Sequence, residues 1–379
     1  MENAEINGLE NEEIKEVKQK KKRKVPIIFI VFAVLIALFI IVTVVGVIYI
    51  KNTFNYKYND LDKTPEELGV EQVINDEIVN IALFGVDTRD ENSFEGRSDS
   101  IMILSINKTD KKIKLISVLR DSLVPMLHSG EVVYNKINAA YASGGPEEAI
   151  KTLNNVFALD ITEYATVNFS GMANIIDVMG GVNVNLTAGE IKHINYTAKE
   201  VAEKYGGVKE DYIITEPGLH LLNGVQAVAY SRIRYTANAQ GTSDDYGRTD
   251  RQRYVLQQMF NKALTIGKDQ FPNLIKTMSP YCETSLSHYE ILKLAVSILL
   301  GSPSFEESRV PFREYIMTSP SDFSKNSVVY YDLEFAANII HAFIYDDIKP
   351  ETYIETNDIS QKDWYTEGYK RPVISKNEQ

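Results

Sequence analysis

Alternation of apolar and polar blocks divides most of the chain into strand-sized and helix-sized pieces. Val79, Ile81, Leu83 and Phe84 make a short apolar run that stops at Gly85, with Asp87 close behind. Residues 101–106 and 113–118 are two more apolar runs, and the polar segment 107–112 between them predicts a hairpin turn. Pro146 suits a first helical position, and Ile150, Leu153 and Phe157 then fall on one helical face. Residues 165–169 read as a strand, 170–179 as a helix capped by Ser170 and stopped by Gly180-Gly181, and 182–186 as the next strand. Strand–helix–strand succession predicts an α/β layered domain. Residues 187–217 are polar, with helix-breaking positions, and are expected as an excursion. A short helix is expected from near Asn223 to before Arg232, and longer ones over 249–266, 288–300 with Ser287 as cap, and 333–344.

One apolar block differs in kind. Residues 25–50 carry no charge, a run longer than the roughly 20 residues needed to cross a bilayer core. Lys20, Lys21, Lys22, Arg23 and Lys24 precede it, so the positive-inside rule places the N-terminus in the cytoplasm and the remainder outside. A cleaved signal peptide would have a shorter apolar region and a small-residue cleavage site, neither of which is present. The expected organisation is a basic cytoplasmic tail (1–24), a transmembrane helix (25–50), a stalk (51–77), a main domain (78–265) and a C-terminal helical extension (266–379).

Charge narrows the function. Of 379 residues, 24% are charged and the net charge is −12, which disfavours a nucleic-acid partner. Cys282 is the single cysteine, so an intramolecular disulfide and a cysteine-based zinc cluster are excluded. Any anion site must therefore be a local basic pocket.

Two groups of residues could build one. Asp87, Arg89, Arg97, Asp99, Arg120 and Asp121 fall at the ends of predicted strands, where open α/β sheets place ligands. Carboxylates among guanidiniums suit a metal ion carrying a phosphate or diphosphate. Downstream, Arg232 and Arg234 would share one face of an extended segment. Arg248, Arg251 and Arg253 follow at a helix start, with Gln252 among them and no lysine. Arginine, rather than lysine, is the residue for bidentate oxyanion recognition, and a helix N-terminus adds N–H donors. Ordinary surface salt bridges are the plainer explanation for any one of these residues, and Arg253 fits it.

Several motifs in fixed order carry a resemblance. They are Gly85-Val86-Asp87-x-Arg89, Arg97-Ser98-Asp99-Ser100-Ile101, Ser117-Val118-Leu119-Arg120-Asp121, Lys136-Ile137-Asn138-Ala139-Ala140-Tyr141, and Ile176-Asp177-x-x-Gly180-Gly181-Val182. Gly218-x-x-x-Leu222-Asn223-Gly224, Tyr230-x-Arg232-x-Arg234 and Gly247-Arg248-x-x-Arg251-Gln252 complete the series. Over residues 78–260 the chain resembles the LytR-CpsA-Psr family of cell-wall glycopolymer ligases. Leu119 stands where the family often has Pro, and Ser100 where it often has Thr; neither removes a charge.

The resemblance implies a mixed central β-sheet flanked by helices, preceded by the membrane span. It implies a phosphotransferase that moves an anionic glycopolymer (a teichoic acid, capsule or related polysaccharide) from an undecaprenyl diphosphate carrier to peptidoglycan, with pyrophosphatase as a side activity. Carried over by motif, Asp87 and Asp99 would hold Mg²⁺, or Mn²⁺ in its place. Asp87, Asp99, Arg97 and Arg120 would serve the chemistry. Arg89, Arg120, Arg232, Arg234, Arg248, Arg251 and Gln252 would bind the diphosphate. The protein would sit in the cell membrane of a Gram-positive-type envelope with its catalytic domain outside. Alternatives are a non-catalytic module binding polyprenyl phosphate, or a transcriptional attenuator; the first does not need both Asp87 and Asp99, and the acidic charge argues against the second.

Overall fold

The computed structural model describes residues 56–357, except 89, 91–92, 129, 206–211, 266–270, 300–302 and 318–327. The expected tail 1–24, the expected span 25–50 and Arg89 lie outside the described residues. Among the described residues no helix is long and apolar enough to cross a membrane.

In chain order the elements are β1 (Lys57–Tyr58), β2 (Ile78–Val86), β3 (Ser98–Asn107), β4 (Lys112–Val118), β5 (Leu123–His128), β6 (Glu131–Lys136), α1 (Asn138–Phe157), β7 (Glu163–Asn168) and α2 (Phe169–Val178). They continue as β8 (Val182–Leu186), α3 (Ala188–Tyr205), β9 (Gly218–Leu222), α4 (Gly224–Ser231), α5 (Asp244–Thr265), α6 (Phe271–Met278) and β10 (Cys282–Thr284). The last are α7 (His288–Leu299), β11 (Ser304–Val310), α8 (Leu333–Ile344) and α9 (Pro350–Thr356). Seven of the described strands form a mixed sheet in the order β1-β10-β7-β2-β3-β4-β11, and β5–β6 and β8–β9 are separate two-stranded antiparallel pairs.

The strands read as near-continuous apolar runs because both sheet faces are covered. Ala82 and Phe84 of β2 join Ile101, Ile103 and Ile116 in a core with Ile150, Leu153 and Phe157 of α1 and Ile340 and Phe343 of α8. Ile81 and Ile106 face the other side, where Ile291, Leu294 and Ile298 of α7 pack. A second core gathers α2, α4, α5 and the β8–β9 pair around Ile176, Val184, Leu222, Ala229 and Val255.

Local chemistry explains the boundaries. The β3–β4 turn forms because the Asn107 side chain accepts from the backbone N–H groups of Thr109 and Asp110. Asn223 caps α4 in a box with Gln226. The cap of α2 is Asn168, whose side chain accepts from Gly171 at 2.7 Å, and not the expected Ser170. Gly180 and Gly181 both take positive φ and turn the chain from α2 into β8.

Two segments depart from expectation. The polar stretch after residue 187 is largely helix α3, opened by Thr187 and Glu190, whose side chains each bond the other's backbone N–H. The stretch beyond 265 supplies strands as well as helices: β10 runs antiparallel to β7, and β11 runs parallel to β4. These strands are integral to the sheet rather than appended to it.

Candidate functional site

The site forms where β2, β3 and β4 reach one end of the sheet. Gly85 pairs with Ser100 and Val86 with Ser98, so Asp99 is an extra residue opposite the Gly85–Val86 step. Such a bulge breaks the in-out alternation and re-aims a side chain, a device concentrated near active sites. Asp99 lines a polar cleft, and its carboxylate accepts from Arg120 at 2.5 Å. Asp87 is exposed just past β2, beside the start of β3.

Arg120 leaves the end of β4 between Asp99 and Asp121, and Asp121 lies 2.8 Å from the Lys136 ammonium. Burial opposes the Arg120 charge, but the two aspartates outweigh it and hold its pKa above the ordinary guanidinium value. Burial likewise opposes the Asp121 charge, and Lys136 and Arg120 outweigh it, so the Asp121 pKa is lowered.

Across the cleft stand Arg232 and Arg234, in the turn after α4, and Arg248 on the first turns of α5. The condition of an extended segment at 232–234 is not met: Arg232 is the helix C-cap, in αR conformation. Both arginines nevertheless line the cleft, with the Arg232 guanidinium over the Phe169 ring at 5.0 Å. Arg248 is 3% exposed, donates to the Asp99 carbonyl at 3.3 Å and lies 3.6 Å from Asp245. Its Nε is buried with no hydrogen-bond partner among the described residues. Burial pushes the Arg248 pKa down to about 10; Asp245 and Asp99 resist this, while Arg120 and Arg234 add to it. A group of cations this poorly neutralised is a place for an anion.

The opposite wall comes from α3: His193, Tyr196, Thr197 and Glu200. The cleft encloses about 290 Å³. Past Phe169 and Gln252, which line both spaces, lies an apolar pocket of about 260 Å³. Leu83, Met102 and Ala165 of the sheet form its floor, and Met172, Val255 and Met259 of α2 and α5 cover it. The Gln252 Oε1 atom is buried at this junction with no hydrogen-bond partner among the described residues.

The structure thus brings Asp99, Arg120, Arg232, Arg234, Arg248 and Gln252 together. Arg97 is exposed on the segment before β3. Arg251 is placed otherwise: it is fully buried, 2.9 Å from Glu190, and donates to the carbonyls of Ile233 and Thr236. It anchors the turn that carries Arg232 and Arg234. Asp245, Lys136 and the α3 residues were not foreseen as site residues. The capping pair Thr187 and Glu190 was a signal that could have found α3.

The donor set bears on a metal. Among the described residues no group of three or more His, Cys, Asp or Glu side chains could hold an ion alone. Asp87 and Asp99 leave neighbouring strands at the same sheet end. Two carboxylates completed by phosphate oxygens are a Mg²⁺ donor set of the kind found with nucleotide phosphates, so these residues fit the ion.

The LytR_cpsA_psr family profile matches residues 44–336. Biofilm regulatory protein A of Streptococcus mutans is 31% identical over 265 residues, which are 67% of this chain and 61% of that protein. The polyisoprenyl-teichoic acid–peptidoglycan teichoic acid transferase TagU of Enterococcus faecalis is 30% identical over 59% of this chain and 66% of its own. The chain therefore spans less than two thirds of either relative's length. The solved structure of the LytR-CPS2A-psr family protein YwtF (TagT) with bound octaprenyl pyrophosphate lipid superposes with a TM-score of 0.54, at 19% identity, over 76% of this chain and 99% of that one. That likeness establishes the shared fold.

Proposed function

The chain belongs to the LytR-CpsA-Psr family, and on that premise we propose that it is a membrane-anchored phosphotransferase acting on a polyprenyl diphosphate-linked glycopolymer. The donor is an anionic polymer, such as a teichoic acid or capsule, carried on undecaprenyl diphosphate, and the acceptor is a hydroxyl of peptidoglycan. The continuity of an arginine-lined cleft with an apolar pocket through Phe169 and Gln252 supports this reading most strongly. A diphosphate joined to a long hydrocarbon tail is the ligand that needs both spaces at once. The relative named TagU carries the same chemistry in its name, and the solved YwtF holds a prenyl pyrophosphate.

In the proposed reaction the acceptor oxygen attacks the phosphorus that bears the polymer. A new P–O bond forms, the bond to the bridging oxygen of the diphosphate breaks, and the prenyl monophosphate departs. The hydroxyl proton passes to a carboxylate of the cleft. Phosphoryl transfer of this kind asks the protein for positioning and charge stabilisation rather than a covalent group. Arg232, Arg234 and Arg248 clamp the diphosphate, and Arg120 holds Asp99 in place. Asp87 and Asp99 would hold Mg²⁺, which would neutralise charge on the phosphate oxygens. A non-catalytic binding module would use the same arginines but has no need for both aspartates.

Titration of a prenyl diphosphate into the detergent-solubilised full chain tests the reading. Each arginine supplies charge-assisted hydrogen bonds of about 1.5–3 kcal/mol. Binding left unchanged by the joint substitution of Arg232→Ala and Arg248→Ala would refute the clamp.

A further inference from the structure

The donor spaces account for one of the two substrates this reaction needs. A second cleft lies on the other side of the first turn of α5, and its chemistry differs. It encloses about 570 Å³ between that turn, the segment after β11 and helix α9. Tyr246 forms one wall, and two guanidiniums lie near its ring: Arg309 at 5.3 Å and Arg313 at 5.9 Å from the centroid. Arg309 is also held 3.0 Å from Asp250, so it is fixed in place. Arg313 is 58% exposed and lies 3.6 Å from Asp244. Glu314, Glu351 and Glu355 contribute carboxylates to the lining.

We propose that this cleft receives the acceptor, a glycan strand bearing peptide stems, and that the inference rests on the transferase reading above. Charge selects the occupant. The donor cleft sets Arg232, Arg234 and Arg248 against Asp99 and Glu200 and suits a polyanion. Here three glutamates outnumber two arginines, so an anionic polymer is repelled. An amphoteric ligand with both carboxylates and amines finds partners for each. Tyr246 itself is buried, but Phe312 and Tyr315 are half-buried in the lining beside charged groups, an arrangement that suits a sugar, whose apolar face stacks while its hydroxyls bond at the edges. Position agrees: Tyr246 faces this cleft, and its neighbour Asp245 lies against Arg234 and Arg248 of the donor cleft. One turn of helix separates the two spaces. A strand lying in the second can pass around that turn to present a hydroxyl in the first.

The test uses the full chain in detergent with two probes: soluble, uncrosslinked glycan strands carrying peptide stems, and a prenyl diphosphate. The joint substitution of Arg313→Ala and Glu351→Ala is expected to weaken glycan-strand binding about tenfold or more, since each lost group is a charged hydrogen-bonding partner. Prenyl diphosphate affinity should stay as in the wild type. Glycan binding unchanged by the joint substitution overturns the proposal, as does competition for this cleft by a free teichoic acid chain. Glu355→Gln, a milder exposed change, gives the same discrimination if the joint variant folds poorly. Failure of the wild type to bind prenyl diphosphate would instead count against the transferase reading itself, and so is separable from loss of the acceptor site.

Discussion

Arg248 and Arg251 lie one turn apart on α5, and both are almost withdrawn from solvent, yet their surroundings are opposite. Arg251 faces Glu190, and its three nitrogens reach a carboxylate and two backbone carbonyls. Its charge is matched within the fold. Arg248 faces the cleft, shares Asp245 with Arg234, and keeps a buried Nε without a hydrogen-bond partner among the described residues. Burial lowers its pKa, and the part-matched carboxylates do not offset that. One region uses an arginine to fix the architecture, and the other leaves arginines short of anions. A count of arginines in a motif does not separate these roles; the carboxylate balance around each does.

The largest effect should come from breaking the matched region. Arg251→Ala leaves Glu190 fully buried without its cation, a situation that costs about 3–5 kcal/mol. Glu190 also caps α3 through Thr187, so the loss should loosen the cleft wall as well as the 233–236 turn. Urea denaturation measures the stability, and a midpoint within error of wild type would show that the pair is dispensable. Adding Glu190→Leu to Arg251→Met should recover part of the loss, since removing both charges removes the stranded one.

The unmatched region predicts the reverse pattern. Arg248→Met removes a desolvated, poorly neutralised charge, so stability should hold or rise while prenyl diphosphate affinity falls by about 1.5–3 kcal/mol. A variant that loses stability and keeps affinity would exchange the roles assigned to the two arginines.

This contrast also marks what the amino-acid order discloses. The β3–β4 turn, the Asn223 cap, the Gly180-Gly181 stop and helix α8 follow from local side-chain chemistry, and all are legible without coordinates. So is the place of Asp99, Arg120, Arg232, Arg234 and Arg248 beside element ends, whereas the meeting of the two groups depends on the fold. Arg251 was not separable from Arg248, since its partner Glu190 is 61 residues away. The strands β10 and β11 were missed for a related reason. β10 spans only Cys282–Thr284, and β11 carries Glu306, Glu307 and Arg309 within an edge strand, so neither shows a strong apolar period. Their place in the sheet depends on pairing with β7 and β4, which is information of long range.

A smaller effect concerns the apolar pocket that adjoins the unmatched arginines. Ala165 lines it from β7. Ala165→Leu fills space that the tail would occupy, and each displaced methylene forfeits about 0.8 kcal/mol of burial. Prenyl diphosphate affinity should fall by roughly 2 kcal/mol, while inorganic diphosphate, which has no tail, should bind as before. Equal losses for both ligands would place the effect on the arginines and sever the pocket from the cleft.

The smallest effect is a pH dependence at the base of the cleft, where a carboxylate stands between two cations. Asp121 lies beside Arg120 and Lys136, and although burial opposes its charge, these cations hold its pKa below the ordinary carboxylate value. A carboxylate whose folded pKa is depressed binds fewer protons folded than unfolded, so stability rises with pH across the gap between the two values. Its contribution is therefore fully present above the unfolded aspartate value of about 4. It is lost as pH falls through the lower, folded value. Asp121→Asn keeps the side-chain shape and removes the titration. Urea midpoints at neutral pH should drop in the variant, because Lys136 loses its charged partner, and the difference from wild type should shrink towards the bottom of the acid limb. Arg248→Met, measured over the same range, should leave that limb unchanged, because Arg248 stays protonated throughout it. A wild-type acid limb that Asp121→Asn leaves untouched would mean that the pairing with Lys136 contributes nothing, and that the matched and unmatched halves of the site differ in geometry alone.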